Sequence, residues 1–451
     1  MSLATVLEKW GRERPYSYFV PQTLTYSQAA EKSASLASQL SEGSTVVHFM
    51  FNSVESILAY LAVFWAGGKV VAVDPLTSAE DLRFILEDSK PDVVFVDEET
   101  LKREKDILKD FKVKIPTFSG TNRKPPFYYE DGTPGLSYYY AGIAGRTMEV
   151  IHSGYRVWLN SRALYEAIGL QTISTLLTVP VAHVLGNSVL GVTLESGGLL
   201  VPMKKFDPAE ASDLIVKYEM NFLATVPMVY DSLIEKGHGL STLEVCISTA
   251  APLFPSTVKG FKEKFGKDII QQYGFTEGLV LTLQPKETAG IITIGKPLKE
   301  VRVKVIKEDG KEAKEGEPGE LWVMAPWLML GYKDKNENQG IWRDGWLRTG
   351  DIVSLDSNGL LYFRGIKKRM LKYKGYPIFP RDLELILLQH PEVKDAKVLG
   401  EDMGNIGQQP VAHVVLRDGA KTNEEELINY VNSKVAFYKR LKKVIIVNRL
   451  E

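Results

Sequence analysis

From Thr45 onward the hydrophobic positions change period in a regular way. "TVVHFMF" is a β-branched, apolar run that predicts a strand, and "SVESILAYLAVFWAGG" follows with Ile57, Tyr60, Leu61 and Phe64 at helical spacing. "KVVAVDP" predicts the next strand. Thr77 and Glu80 then have the spacing of a capping box ahead of a helix carrying Leu82, Ile85 and Leu86, and "DVVFVD" closes the unit. Buried strands alternating with amphipathic helices predict an α/β fold with a mostly parallel, helix-covered sheet. A second run of the same kind covers residues 163–273, so two such sheets are expected.

The texture changes between Gly290 and Arg364, where short alternating strands such as "VRVKVIKEDG", "GELWVMA" and "LLYFRG" are split by Gly, Asp and Asn. That pattern predicts an antiparallel, barrel-like subdomain. After Arg364 the pattern predicts a helix over Arg381–Gln389, a strand near Lys397, a strand at "VAHVVL", a helix with Thr422 and Glu425 as its capping box, and a final strand "VIIV". The expected division is a large N-terminal domain, residues 1–364, and a small α+β domain, residues 365–451.

Composition narrows the function classes without choosing one. A chain of 451 residues is too long for one ordinary core, and 44% hydrophobic with 25% charged residues is the balance of a soluble globular protein. The formal net charge of −1, with no separate basic run, gives no electrostatic reason to expect nucleic acid or an anionic membrane. No apolar segment has the length of a membrane span, and the amino terminus has no signal core, so a cytoplasmic protein is expected. Cys246 is the single cysteine; it excludes an internal disulfide, and in an apolar strand it reads as packing.

Chemistry concentrates in a few ordered segments. "QQYGFTEG", residues 271–278, places an aromatic, a glycine turn, a hydroxyl and a carboxylate within five residues, a set suited to a purine, a phosphate oxygen and a divalent metal. "DGWLRTGD", residues 344–351, ends on a carboxylate after a tight turn. "STAAPLFP" lies upstream at 248–255, "VPVAHVLGN" carries His183, and "KKRMLKYKGYPIFPRDLE" spans 367–384. Taken singly each has a bland reading: a satisfied core histidine, a capped turn, a solvated lysine face. Lys367 and Lys374 are expected to be solvated.

In this order and at these separations the segments resemble the adenylate-forming superfamily, with acyl- and aryl-CoA synthetases and luciferases the most similar branch. The resemblance runs from "LTYSQAAEKSASLASQL" to "AFYKRLKKVIIV". It implies a ligase that makes an acyl-AMP from a carboxylic acid, fatty or aryl, with ATP and Mg²⁺, then passes the acyl group to CoA. It implies that Tyr273 stacks on adenine beside Gly274 and the backbone of Ala250, Ala251 and Pro252, and that Asp351 accepts from the ribose hydroxyls. Thr276 is then the α-phosphate contact, Glu277 the Mg²⁺ ligand and His183 a wall of the acid pocket. Lys368 matches the hinge of a mobile lid, while Lys372 and Gly375 face the pantetheine arm. Leu279, Val280 and Leu281 suggest an apolar guest. No partner beyond the acid, the nucleotide and CoA is implied, and no oligomeric state.

Three departures cut against ordinary turnover. In "YYYAGIAGRTMEV", residues 138–150, Gly142 and Gly145 keep the glycines of the family's phosphate loop. Ala141, Ile143 and Ala144 stand where hydroxyls belong, Met148 replaces the lysine, and Glu149 replaces a glycine and would repel phosphates if it faced them. Ile366 stands where the family has an arginine before the hinge, and Arg364, two residues earlier on the same strand face, is the candidate substitute. The sequence given stops at "VIIVNRLE", short of the family's catalytic lysine, so the lid is expected to lack its last segment. Loss of one such preorganised charge costs ~100- to 1,000-fold in rate. The alternative to an active ligase is therefore a relative that binds nucleotide, acyl-adenylate or CoA without full turnover, or that carries out only the thioester half-reaction.

Overall fold

Two seven-stranded sheets form the body, and helices at the sequence's change of period hold them together. The computed structural model describes residues 1–119, 124–140, 148–373, 376–403, 407–435 and 439–450, without the side chains at 368, 372, 373, 376 and 377. The first sheet has the order Gly331–Tyr332, Met148–Ser153, Pro134–Tyr140, Lys69–Ala72, Thr45–Phe49, Val93–Val96, Val113–Lys114. Its pairs are parallel from Pro134–Tyr140 to the last strand, and antiparallel at the other edge. The second sheet runs Leu199–Pro202, Ser174–Leu177, Phe222–Thr225, Val245–Ser248, Ile269–Phe275, Leu279–Leu283, Lys296–Pro297, parallel until the hairpin after Ile269–Phe275 turns it antiparallel.

The helix Val54–Ala66 shows how local chemistry sets these layers. Ser53 caps its start by accepting from the Ser56 amide, and Gly67 ends it at φ 77°, where an added Cβ would also lie 2.6 Å from the Phe127 ring. Every residue from Ser56 to Ala66 is buried, not only the expected stripe of Ile57, Tyr60, Leu61 and Phe64. A helix apolar all round belongs between layers. Its Tyr60 hydroxyl donates to Asn187 Oδ1 at 3.0 Å, tying it to the equally buried helix Val184–Ser196. One continuous core accordingly takes side chains from both sheets.

Two expected capping boxes shift by one residue. The first helix is Ala79–Ser89, capped by Ser78, whose hydroxyl accepts from the Asp81 amide. The second is Glu424–Asn432, capped by Asn423 accepting from the Glu426 amide, while Thr422 bonds the Glu426 side chain. In each case the short polar side chain next to the first helical turn takes the cap.

The region after Gly290 forms a five-stranded antiparallel sheet of Arg302–Ile306, Gly319–Met324, Trp346–Leu355, Trp342–Arg343 and Leu361–Ile366. The C-terminal part has its own apolar core, built from residues such as Leu371, Leu383, Val398, Val414 and Val431. Its sheet pairs Val393–Asp402 antiparallel with Gln408–Leu416, which runs parallel to Lys443–Ile446, and the helix Pro380–Leu388 packs against it. Cys246 is buried, and burial pushes its thiol up to about 12, as a packing role requires. No helix among the described residues is long and apolar enough to cross a membrane.

Glu149 differs from its expected place. It lies within the strand Met148–Ser153 at 2% exposure, paired with Lys69 two strands away and accepting from Ser137 Oγ of the strand between them at 2.8 Å. Its carboxylate is therefore committed inside the sheet and does not repel phosphate. Removing one partner of such a pair strands a buried charge. Lys69→Met is expected to lower the stability measured by urea unfolding by about 3 kcal/mol. The double variant Lys69→Met, Glu149→Met should recover most of that loss; equal destabilisation by both variants would show that the pair is not the cause.

Candidate functional site

A cavity of about 500 Å³ opens where the second sheet, the antiparallel sheet and the helix Pro380–Leu388 meet. Its walls include Ala250, Pro252, Tyr273, Asp351, Arg364 and Arg381. The first wall is a loop after the strand Val245–Ser248. Ala250 takes φ 69° there, a left-handed conformation that costs an L-residue about 1–2 kcal/mol. Such strain is held only by surrounding structure, and it clusters at binding sites. The second wall is the end of Ile269–Phe275, where a bulge falls between Tyr273 and Gly274. A Cβ on Gly274 would lie 2.1 Å from the Leu279 carbonyl oxygen, so only glycine permits this pinch.

Tyr273 joins the second wall to a third, the strand Trp346–Leu355 that carries Asp351. The phenol donates to Asp351 Oδ2 at 2.5 Å, and the Asp351 amide donates to Thr349 Oγ1 at 3.0 Å. Burial raises Asp351 to about 6; the Tyr273 hydrogen bond works against that rise, while Glu277 and Glu320 add to it. Burial, with the neighbouring Asp351 charge, also holds Tyr273 well above the ordinary phenol value. At neutral pH the pair is a neutral donor and an ionised acceptor.

Thr276 and Glu277 sit at the tip of the same hairpin but outside the cavity's lining. The Thr276 carbonyl lies 2.7 Å from His152 Nε2, which must carry the proton to donate to it. Burial lowers His152 to about 4, so the ring is neutral. Glu277 is 1% exposed, and its Oε1 accepts from the Tyr332 hydroxyl at 2.6 Å. Among the described residues no three His, Cys, Asp or Glu side chains group as a metal site.

His183 is not a core histidine. It precedes the helix Val184–Ser196, half exposed, with Nε2 2.5 Å from Asp74 Oδ2. Burial works to raise Asp74, but the bonds from His183 and the Leu76 amide outweigh it and hold the carboxyl low. Neither residue of this pair is among those that line the Tyr273 cavity. Leu279, Val280 and Leu281 are spent in the core, with the Val280 carbonyl accepting from Asn160 and Trp327, so they do not argue for an apolar guest.

At the lid the arginine and lysine positions sort differently from their spacing. A bulge opposite Ile352 and Val353 leaves Arg364 as the extra residue, so strand alternation does not put it on the face of Ile366. Arg364 Nε donates to Ser354 Oγ at 3.1 Å, and the side chain still reaches the cavity. Lys367 is not merely solvated: its ammonium binds Glu320 Oε2 at 2.9 Å, where Arg348 also binds at 3.1 Å. Gly142, Gly145, Gly375 and Lys374 lie outside the described residues, as do the side chains of Lys368 and Lys372. Met148 is 4% exposed in the core.

The structure thus gathers Ala250, Ala251, Pro252, Tyr273, Gly274, Asp351 and Arg364 around one cavity and leaves Thr276, Glu277 and His183 out of its lining. Sequence reasoning missed Tyr332, His152, Glu320 and Arg381. Tyr332 and His152 meet their partners across 55 and 124 residues of chain, which no local signal reports. Arg381 stood in a quoted segment, but nothing in its spacing distinguished it from a solvated helix residue.

Comparison with known proteins gives the same outline. The model of the AMP-binding enzyme family matches residues 4–129 and 146–333, and the model of the AMP-binding enzyme C-terminal domain matches 382–451. The first match is interrupted across the interval that holds Gly142 and Gly145. The probable CoA ligase CCL5 of Humulus lupulus is 28% identical over 94% of this chain and 84% of its own length. The peroxisomal OPC-8:0-CoA ligase 1 of Arabidopsis thaliana is 27% identical over 95% and 86%. ATP-bound MatB from Rhodopseudomonas palustris superposes with a TM-score of 0.90 at 23% identity, over 100% of this chain and 96% of that one. The o-succinylbenzoate CoA synthetase MenE from Bacillus subtilis, with its acyl-adenylate OSB-AMP, gives 0.85 at 23% identity over 99% and 95%. At those identities the structures show a shared fold.

The raised Asp351 fixes the sign of two pH effects. The folded chain keeps this proton to higher pH than the unfolded chain, so the group's contribution to stability is present at low pH and is lost as pH rises through about 6. Binding of a diol to the carboxylate has the opposite sense, because only the ionised form accepts both hydroxyls. Adenosine, which has no phosphate to titrate, is expected to lose affinity about tenfold per unit below about pH 6, measured by calorimetry. Asp351→Asn should abolish the dependence, and Tyr273→Phe should move its midpoint upward. A flat profile for the unmodified protein would contradict the assignment.

Proposed function

Because the chain belongs to the AMP-binding enzyme family and carries that family's C-terminal domain, we propose that it is an AMP-forming acid–CoA ligase whose stronger half is the handling of the acyl-adenylate. In the complete reaction a carboxylate oxygen attacks the α-phosphorus of ATP and pyrophosphate leaves. The CoA thiolate then attacks the acyl carbon, and AMP leaves with the electron pair of the broken C–O bond. The Tyr273–Asp351 bond, between two strands that wall the cavity, is the observation that carries this reading.

In this reading each of the residues has a role. Adenine fits against the Tyr273 ring beside the strained Ala250–Pro252 loop, and Asp351 takes the ribose hydroxyls on the oxygen that Tyr273 leaves open. Thr276 serves the α-phosphate, and His183, oriented by Asp74, borders the acid pocket. Glu277 is a single buried carboxylate, which fits Mg²⁺ that draws most of its oxygens from nucleotide and water. Bound there, Mg²⁺ would offset phosphate charge. The lid begins at residue 365 and turns about Lys368, with the pantetheine arm of CoA as its counterpart. A separate apolar core in the lid supports its moving as a unit.

A second reading, in which ATP is used poorly or not at all, is favoured by a specific observation. Met148 is packed in the core and Glu149 is paired with Lys69, so neither side chain is available to hold β- and γ-phosphates. Restoring a lysine at Met148 would also bury its cation, so that substitution is not a clean repair.

Two assays separate the readings. Formation of acyl-CoA from synthetic acyl-AMP and CoA is expected to outrun pyrophosphate release from ATP with the same fatty or aryl acid by at least about tenfold, and Asp351→Ala should depress both. Pyrophosphate release as fast as thioester formation would show that the altered loop is sufficient. Absence of both reactions with every acid tested would overturn the ligase assignment.

A further inference from the structure

The cavity is lined by three arginines, Arg364, Arg369 and Arg381, against two carboxylates, Asp351 and Asp382. The carboxylates are already engaged. Asp351 accepts from Tyr273, and Asp382 binds Lys439 at 3.0 Å. Glu384, the other acid near the lid arginines, accepts from Arg369 at 2.7 Å and from the Val398 amide at 2.9 Å.

Arg381 is the cation left over. Its guanidinium stacks 5.8 Å from the centroid of Phe254, and none of the hydrogen bonds among the described residues reaches it. Burial pulls it down to about 10, with Arg369 acting the same way and Glu384 and Asp382 only partly opposing. Five donors without an acceptor in a half-buried place are costly unless something brings the acceptor. Arg364 is similar, since Nε alone is used, on Ser354.

We propose that Arg381 and Arg364 form an anion subsite in which lid and body together grip the 5′-phosphate of the adenine nucleotide, a cationic hold separate from the altered loop at 141–149. The proposal rests on the adenosine assignment of the same cavity. Arginine suits the task because its planar fork meets two phosphate oxygens at once. The Phe254 ring keeps the Arg381 guanidinium flat and oriented before the ligand arrives. A phosphate held from the lid side also makes closure depend on having nucleotide in place.

Calorimetry with AMP and adenosine as paired probes tests this. The unmodified protein is expected to bind AMP at least about tenfold more tightly than adenosine. Arg381→Gln and Arg364→Gln should each remove most of that margin and leave adenosine affinity within about twofold. Equal loss of both probes would mean the arginines only shape the cavity, and no loss of either would mean they do not touch phosphate; both results overturn the subsite. If adenosine and AMP fail to bind the unmodified protein at all, the adenosine assignment itself is wrong. Binding of adenosine with no AMP advantage rejects the subsite alone.

Discussion

The hydrogen bond from Tyr273 to Asp351 is the constraint on which the rest of the site depends. It joins the end of a strand in the helix-covered sheet to the middle of a strand in the antiparallel sheet, 78 residues on. It acts at the cavity beside the backbone bonds that tie Ile294 and Gly295 to Leu361 of the antiparallel sheet. With it, a buried aromatic ring and a carboxylate are held at one edge of a cavity whose opposite side is a loop strained at Ala250. Burial raises the carboxylate and the phenol stabilises its ionised form, which is the balance a diol-binding acid needs near neutral pH.

Around that fixed edge, charge is distributed in an unusual way. The strand Met148–Ser153 is given over to packing, with Met148 in the core and Glu149 paired with Lys69 of the same sheet. Cations gather instead at the lid side. Lys367 and Arg348 share Glu320, which holds the start of the lid to the body, and Arg369 is bound to Glu384. Arg381 and the outer nitrogens of Arg364 remain for a ligand. On the proposed reading, such a site favours a nucleotide monophosphate or an acyl-adenylate over a triphosphate.

Much of the fold was legible because its signals are local. Ser53 and Gly67 bracket the helix Val54–Ala66, and the runs of Val and Ile before and after it read as buried strands. The two capping boxes slipped by one residue because adjacent Thr-Ser and Thr-Asn pairs offer rival caps, and only backbone geometry chooses between them. The residues that wall the cavity were legible through ordered motifs. What could not be read was every contact made between distant segments. Glu149 looked like a repelling charge until Lys69, 80 residues away, was seen beside it. Arg364 and Ile366 both line the cavity, but across a bulge that simple alternation does not foresee. Leu279, Val280 and Leu281 looked like a pocket lining because apolar runs are the same whether they face a guest or a core.

The most direct measurement is a crystal structure of the chain soaked with AMP. The account expects the adenine ring against Tyr273 and the Ala250–Pro252 loop, with both ribose hydroxyls on Asp351. AMP bound elsewhere, or an empty cavity in crystals that leave it open to solvent and hold AMP at millimolar concentration, would contradict the central claim.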